Sequence, residues 1–195
     1  MFAYLEGKLS WKSPAVVHLE THGVGYELHI SLHTYTALQH LNEVKLFTYL
    51  QIKEDAHILF GFFDREEKEM FVTLISVSGV GASTARMMLS SMKSSEIAEA
   101  IASGNVRLLE SVKGIGKKTA ERLVVELRDK VQKLTVEVTN TLHAKAQPVQ
   151  EDAVQALSAL GIARNQAEQA VRKIMQAEGI TLPLEELIKK ALKAI

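Results

Sequence analysis

One nine-residue phrase occurs twice in this chain, 35 positions apart: VSGVGASTA at Val77–Ala85 and VKGIGKKTA at Val112–Ala120. Each copy is flanked by apolar residues at helical spacing. Met70, Phe71, Leu74 and Ile75 precede the first, and Ala120, Leu123, Val124, Leu127 and Val131 belong to the second. Between the copies, SSEIAEAIASG reads as a short helix, with Ser94 or Ser95 as N-cap and Gly104 as its stop. A repeat of this kind restricts the middle of the chain to two helix–turn–helix units. The glycines permit a tight turn and leave backbone N–H groups uncovered; with the free N–H donors of the following helix they form a concave site for an anion.

Lys117 and Lys118 stand in the first turn of a helix, where each cation is unfavourable by roughly 0.3–1 kcal/mol unless an anion is bound. A phosphate in the turn reverses that sign. Thr119 adds a hydroxyl, and Arg122, one turn on, is placed to reach a neighbouring phosphate. The candidate phosphate-binding residues are Gly79, Val80, Gly81, Ser83 and Thr84 in the first copy. In the second they are Lys113, Gly114, Ile115, Gly116, Lys117, Lys118, Thr119 and Arg122. The spacing is too short for a nucleotide P-loop, and no strand leads into it. Two equivalent cradles suit two sugar-phosphate strands, and nothing in the motif reads bases, so binding is expected to be sequence-independent and strongly salt-dependent.

Charge is distributed in keeping with a local anion site. The chain has 23 basic and 23 acidic residues, yet residues 1–64 carry a net −3, residues 65–134 a net +3 and residues 135–195 none. There is no cysteine, which excludes disulfides and thiolate metal sites. No apolar run approaches the length of a membrane span, and a cytoplasmic home is expected.

The first 64 residues read as about five short strands, including 16–22, 24–30, 44–53 and 57–63, with turns at Lys12–Pro14, His22-Gly23 and Glu54-Asp55. A small barrel or sandwich is expected. Residues 65–134 form the all-helical middle. Residues 135–148 lack helical periodicity and read as a linker, and 149–195 as three amphipathic helices. In this tail Asn165 with Glu168 resembles a capping box, and Gly161 and Gly179 read as helix terminators.

GVGASTA and GIGKKTAERL resemble the helix-hairpin-helix DNA-binding motif in tandem. Together with a β-rich head ending KEDAHILFGF and a three-helix tail, the whole chain resembles the RuvA family. That resemblance implies an OB-fold head (1–64) that assembles a homotetramer, with one or two tetramers on each four-way junction. It implies a tandem helix-hairpin-helix domain (65–134) on DNA and a UBA-like three-helix domain (149–195). The tail would dock a RuvB-type hexameric ATPase through an apolar patch drawn from Leu157, Leu160, Ile162, Ile174 and Leu192. A RuvC-type resolvase is implied in the same complex. The implied role is non-catalytic and cofactor-free: to bind Holliday junctions for branch migration in recombination, DNA repair and the SOS response. Glu54 and Asp55, in isolation an ordinary solvated turn, become under this resemblance an acidic pin at the four-fold axis that holds the arms apart. One departure stands out: Ala82-Ser83 replaces the Pro-Lys common in the family, so the first cradle rests on backbone N–H groups, Ser83 and Thr84.

Other features compete with these readings. His18, Glu20 and His22 alternate along a strand and could face a metal, though they lack a clear fourth ligand; solvent-facing residues are commoner. Trp11, Tyr4, Phe47 and Phe60 could stack single-stranded bases or fill the barrel and a subunit interface. Some DNA glycosylases place a catalytic lysine at the position of Lys118, but they need an aspartate some twenty residues on, where the nearest candidate is Glu137. A general single-strand binder built on the head is opposed by its net charge of −3.

Overall fold

Five strands close on themselves in the order β1-β2-β3-β5-β4. They are β1 (Tyr4–Lys12), β2 (Val16–Thr21), β3 (Val24–His29), β4 (Glu43–Ile52) and β5 (His57–Phe62). The computed structural model describes residues 2–142, 149–178 and 182–194, with backbone only for 132–142 and 177–178. Strand periodicity explains the interior: Val17 and Leu19 of β2, Leu28 of β3, and Val44, Leu46 and Thr48 of β4 all point inward. His22 (φ +50) and Gly23 (φ +82) make the two-residue turn from β2 to β3. The chain is antiparallel throughout the barrel except where β3 meets β5, joined in parallel through a single registered pair, His29 opposite Phe60.

A short helix, α1 (Leu32–Leu38), lies between β3 and β4 and was not expected from the sequence. Ser31 caps it by accepting the Thr34 N–H at 3.0 Å. At its other end Lys12 Nζ donates to the carbonyls of Leu38, Gln39 and Leu41 at 3.3, 3.2 and 3.0 Å, a cation placed where the helix dipole favours it.

The helices that follow are α2 (Arg65–Ile75), α3 (Ala82–Ser91), α4 (Ser94–Ala102), α5 (Val106–Glu110) and α6 (Lys117–Leu142). Asp64 caps α2 by accepting the Glu67 N–H at 2.7 Å. The N-cap of α4 is Lys93, one residue earlier than Ser94; its N–H donates to Glu96 Oε2 at 2.8 Å. The barrel encloses its own core around Val17, Leu19, Leu28 and Leu46, and a second core begins on β5, where Phe60 and Phe62 join the buried faces of the helices. Phe71 of α2 packs at tilted and edge-on angles against Phe60, Phe62 and Tyr49, with ring centroids 5.0, 4.9 and 5.5 Å apart. Truncating a buried phenylalanine of this kind costs about 3–5 kcal/mol, so this joint is a major stabilising element.

Residues 135–142, expected to belong to a linker over 135–148, are helical. Helix α6 continues through Leu142, because the β-branched residues of TVEVTNTL are only weakly helix-averse once a long helix precedes them. Residues 143–148 lie outside the described residues.

The chain divides into two compact units, Met1–Val136 and Glu137–Ile195. The second contains α7 (Val149–Ala159), α8 (Arg164–Glu178) and α9 (Leu184–Ala194) around Ala153, Val154, Leu157, Val171 and Leu187. Gly161, at φ +91, ends α7; its N–H donates to Ser158 O at 3.0 Å and that of Ile162 to Leu157 O at 3.2 Å. The expected capping box at Asn165 and Glu168 does not form. Helix α8 starts one residue earlier, and Glu168 pairs instead with Arg164 at 2.9 Å. Gly179 lies outside the described residues. Among the described residues no helix is long and apolar enough to cross a membrane.

Candidate nucleic-acid interface

The two repeats fold into near-identical turns. Gly79 and Gly114 take φ +94 and +95, a conformation that L side chains rarely adopt. In the first turn the Val80 N–H donates to Val77 O, and in the second Ile115 N–H to Val112 O, both at 3.1 Å. All four of these apolar side chains are buried. Val80 and Ile115 were expected among the phosphate-binding residues. Their N–H groups are consumed inside the turn and their side chains anchor it, so they shape the cradle without presenting a donor.

The second glycine of each turn is different. Gly81 has ordinary extended backbone (φ −83, ψ 166), and Gly116 lies outside the positive-φ region as well. A Cβ added to either would meet nothing within 4 Å. The fold would therefore accept alanine at both, and the absence of a side chain leaves the backbone open to close approach from outside. Just beyond, the N–H groups of Ala82 and Ser83, and those of Lys117 and Lys118, have no acceptor among the described residues, as the opening turn of a helix dictates. Two exposed patches of unsatisfied donors result, with Lys113, Lys117 and Lys118 exposed around the second and Ser83 exposed beside the first.

The patches adjoin. A Cβ on Gly79 would stand 3.8 Å from Thr119 Oγ1, and Arg122 Nη1 donates to Ser78 O at 3.3 Å. Ser78, Gly79, Lys118, Thr119 and Arg122 thus line a common groove, which Glu121, Val125 and Glu126 complete. Arg122 was expected to reach a phosphate directly; it also ties the second hairpin to the first. A guanidinium has five donors, so this bond leaves others for a ligand.

Family profiles tile the same architecture. "RuvA N terminal domain" matches residues 1–61, "SAM-like Helix-hairpin-helix tandem" residues 71–129, and "RuvA, C-terminal domain" residues 148–195. The chain is 44% identical to the Holliday junction branch migration complex subunit RuvA of Cytophaga hutchinsonii over 99% of both proteins. Identity is 45% to that of Christiangramia forsetii over the whole of both, and 44% to that of Neisseria meningitidis serogroup C over 97% of this chain and all of the other. The chain belongs to the RuvA family.

The remaining predicted positions of this RuvA-family chain separate into exposed and buried sets. Glu54 and Asp55 are exposed in the β4–β5 turn, closed by a 2.8 Å bond from Lys53 N–H to Ala56 O. In the tail Leu157 is fully buried at the centre of the three helices and cannot contribute to a docking surface. Ile162 and Ile174 are partly buried against that core, whereas Leu160 and Leu192 are 64% and 43% exposed.

His18 sits beside Trp11, with rings 4.8 Å apart, and its Nε2 lies 3.4 Å from Glu27 Oε2. His22 falls in the turn beyond β2, so the three residues of the metal reading do not share a strand face. Phe60 is buried and Phe47 packs on the core that β5 shares with the helices; Tyr4 and Trp11 are exposed, Tyr4 beneath Lys45 Nζ at 3.8 Å.

Three polar groups that hold the hairpins to the barrel escaped sequence reasoning. Glu67 of α2 is buried and accepts hydrogen bonds from Ser31 Oγ and from Thr34 Oγ1, the latter at 2.6 Å. Thr34 Oγ1 also accepts the Phe63 N–H at 3.0 Å. Burial raises the Glu67 pKa above the usual carboxylate value, against the opposing effect of the two hydroxyl donors. On α3, Arg86 Nη1 donates to Ala15 O at 3.1 Å and lies 3.0 Å from His29 Nδ1. Burial, and then the Arg86 charge, lower the His29 pKa, which favours the neutral ring that can accept from Arg86. One turn further, Ser90 Oγ accepts the Leu32 N–H at 3.0 Å.

Proposed function

We propose that this chain binds four-way DNA junctions in a sequence-independent, structure-specific way and targets a RuvB-type hexameric ATPase to them for branch migration in recombination and repair. The observation that carries the reading is the doubled turn: two corresponding sets of free amides, side by side, one of them ringed by lysines. Two adjacent cradles of this kind suit the sugar-phosphate backbones of the two strands of one duplex arm, and neither offers a group that reads base edges. The chain itself is the non-catalytic subunit, with ATP hydrolysis on the partner. It works in the cytoplasm, with a RuvC-type resolvase joining the same complex.

The closed five-stranded order supports an OB-type barrel, and the three-helix tail a UBA-like domain, with the domains at 1–64, 65–134 and 149–195. The barrel assembles a homotetramer in which Glu54 and Asp55 of each subunit form an acidic pin. Carboxylates gathered at the centre repel DNA backbones and keep the four arms apart. Exposed Leu160 and Leu192 form part of the surface that receives the ATPase.

Electrophoretic titration against a four-way junction and a linear duplex of equal length tests the reading. Tighter binding to the junction is expected; equal affinity for both would sink it. Glu54→Gln with Asp55→Asn is expected to relax that preference towards duplex, and an unchanged preference would leave the turn structural.

A further inference from the structure

The two cradles are unequal in a way that gives Arg86 a function. The second has flexible lysines that can follow a phosphate over several ångströms. The first has Ala82-Ser83 at the matching positions, so its main donors are backbone amides. Hydrogen bonds from fixed amides hold only at about 2.7–3.2 Å and with good alignment. The first cradle therefore works only if it is held in the right place, and helix α3, which grows out of it, carries polar ties to the head in addition to the apolar joint made by α2.

Arg86 and Ser90 lie one turn apart on the same face of α3. Between them they engage three separate pieces of the head: Ala15 in the β1–β2 loop, His29 at the end of β3, and Leu32 at the start of α1. Among the described residues no carboxylate pairs with Arg86, so its guanidinium is directed by neutral acceptors whose positions the barrel sets. Ala15 O already accepts the Ile30 N–H at 3.0 Å, which makes it a rigid part of the sheet rather than a loose loop carbonyl.

We propose that Arg86 is a positioning residue that fixes the direction of the first hairpin on the barrel, and that this fixed direction is a determinant of the preference for junctions over plain duplex. The inference rests on the junction-binding reading above. A junction engages several copies of the chain at once, so each cradle must meet its phosphate without adjusting, and angular slack is penalised at every arm. A linear duplex engages fewer copies and tolerates the slack, with the lysines of the second cradle supplying the attraction.

The test measures fluorescence anisotropy of the full-length protein with a four-way junction and an equal-length duplex at one salt concentration. Arg86→Ala is expected to weaken junction binding about tenfold and to leave duplex binding within about twofold. Ser90→Ala is expected to shift the ratio less, in the same direction. If wild-type protein shows no junction preference, the junction reading itself falls and this inference with it. If wild-type prefers junctions and Arg86→Ala keeps the whole preference, Arg86 does not position the hairpin. An equal loss on both DNAs would make Arg86 a phosphate contact and likewise overturn the proposal. Thermal unfolding monitors folding of both variants; if Arg86→Ala does not fold, a Ser90→Ala variant that retains the full ratio overturns the proposal on its own.

Discussion

Gly114 and Gly116 stand two residues apart, and the structure assigns them opposite sensitivities. Gly114 takes φ +95 with nothing within 4 Å of an added Cβ, so alanine there suffers only the backbone penalty, about 1–2 kcal/mol. Gly116 has no positive φ and equally open surroundings. Alanine at Gly116 loses the modest preference for glycine at a helix N-cap but reduces the freedom of the unfolded chain. The two effects offset to within about 1 kcal/mol.

The methyl group would nevertheless project where a phosphate must approach the free amides of Lys117 and Lys118. Loss of one charge-assisted hydrogen bond is worth about 1.5–3 kcal/mol, or roughly a 10- to 150-fold drop in affinity. Gly116→Ala should therefore separate the two properties, leaving the urea midpoint nearly unchanged while junction binding falls by more than an order of magnitude. Gly114→Ala should lower the midpoint. Junction binding by Gly116→Ala at wild-type strength, with stability intact, would refute the assignment of this turn to phosphate.

Three further outcomes are expected. Replacing Lys117 and Lys118 together with alanine should flatten the dependence of log affinity on log salt by about 2, from a slope of about 0.9 per phosphate contact; an unchanged slope removes them from the site. Leu160→Asp should spare the fold, because that side chain is 64% exposed, yet abolish capture of a RuvB-type ATPase in a pulldown; retained capture would take Leu160 out of the docking surface. Glu67 has its pKa raised by burial, so the native state holds its proton more tightly than the unfolded chain. The stability of wild type relative to Glu67→Gln should be greatest below about pH 4.3 and decline as pH rises through the raised native value. Urea midpoints at a series of pH values would show it, and a pH-independent difference would contradict it.

Periodicity and turn chemistry made much of this architecture readable. Runs rich in β-branched and aromatic residues, such as VVHLETH and VGYELHI, announced strands, and the spacing of Ala120, Leu123, Leu127 and Val131 announced the buried stripe of α6, all four of which are fully buried. Features that depend on a partner far along the chain were not legible. Helix α1 is only seven residues long, too short for its period to show, and it owes its place to Lys12 and Glu67. Arg86, alone in mid-helix, looks like any solvated arginine until folding brings Ala15 and His29 beside it. Among the site residues, glycine spacing identified the turns but could not tell which amides the turn itself uses. Spacing therefore places Val80 and Ile115 among the phosphate-binding residues, although their amides close the turn. Leu157 and Leu160 show the same limit, since their spacing alone does not reveal which of them faces the core.

The barrel is thinnest where β3 meets β5, across the single pair His29–Phe60. That same histidine receives Arg86 from outside. Breathing of the sheet at this seam and lifting of α3 should therefore be one cooperative opening, slow to exchange amide hydrogens only while the helix is seated. A strand pair in the head would then act as a gauge for events at the first hairpin. Deuterium uptake along β3 and β5 should fall when the first hairpin is loaded, although neither strand belongs to either hairpin.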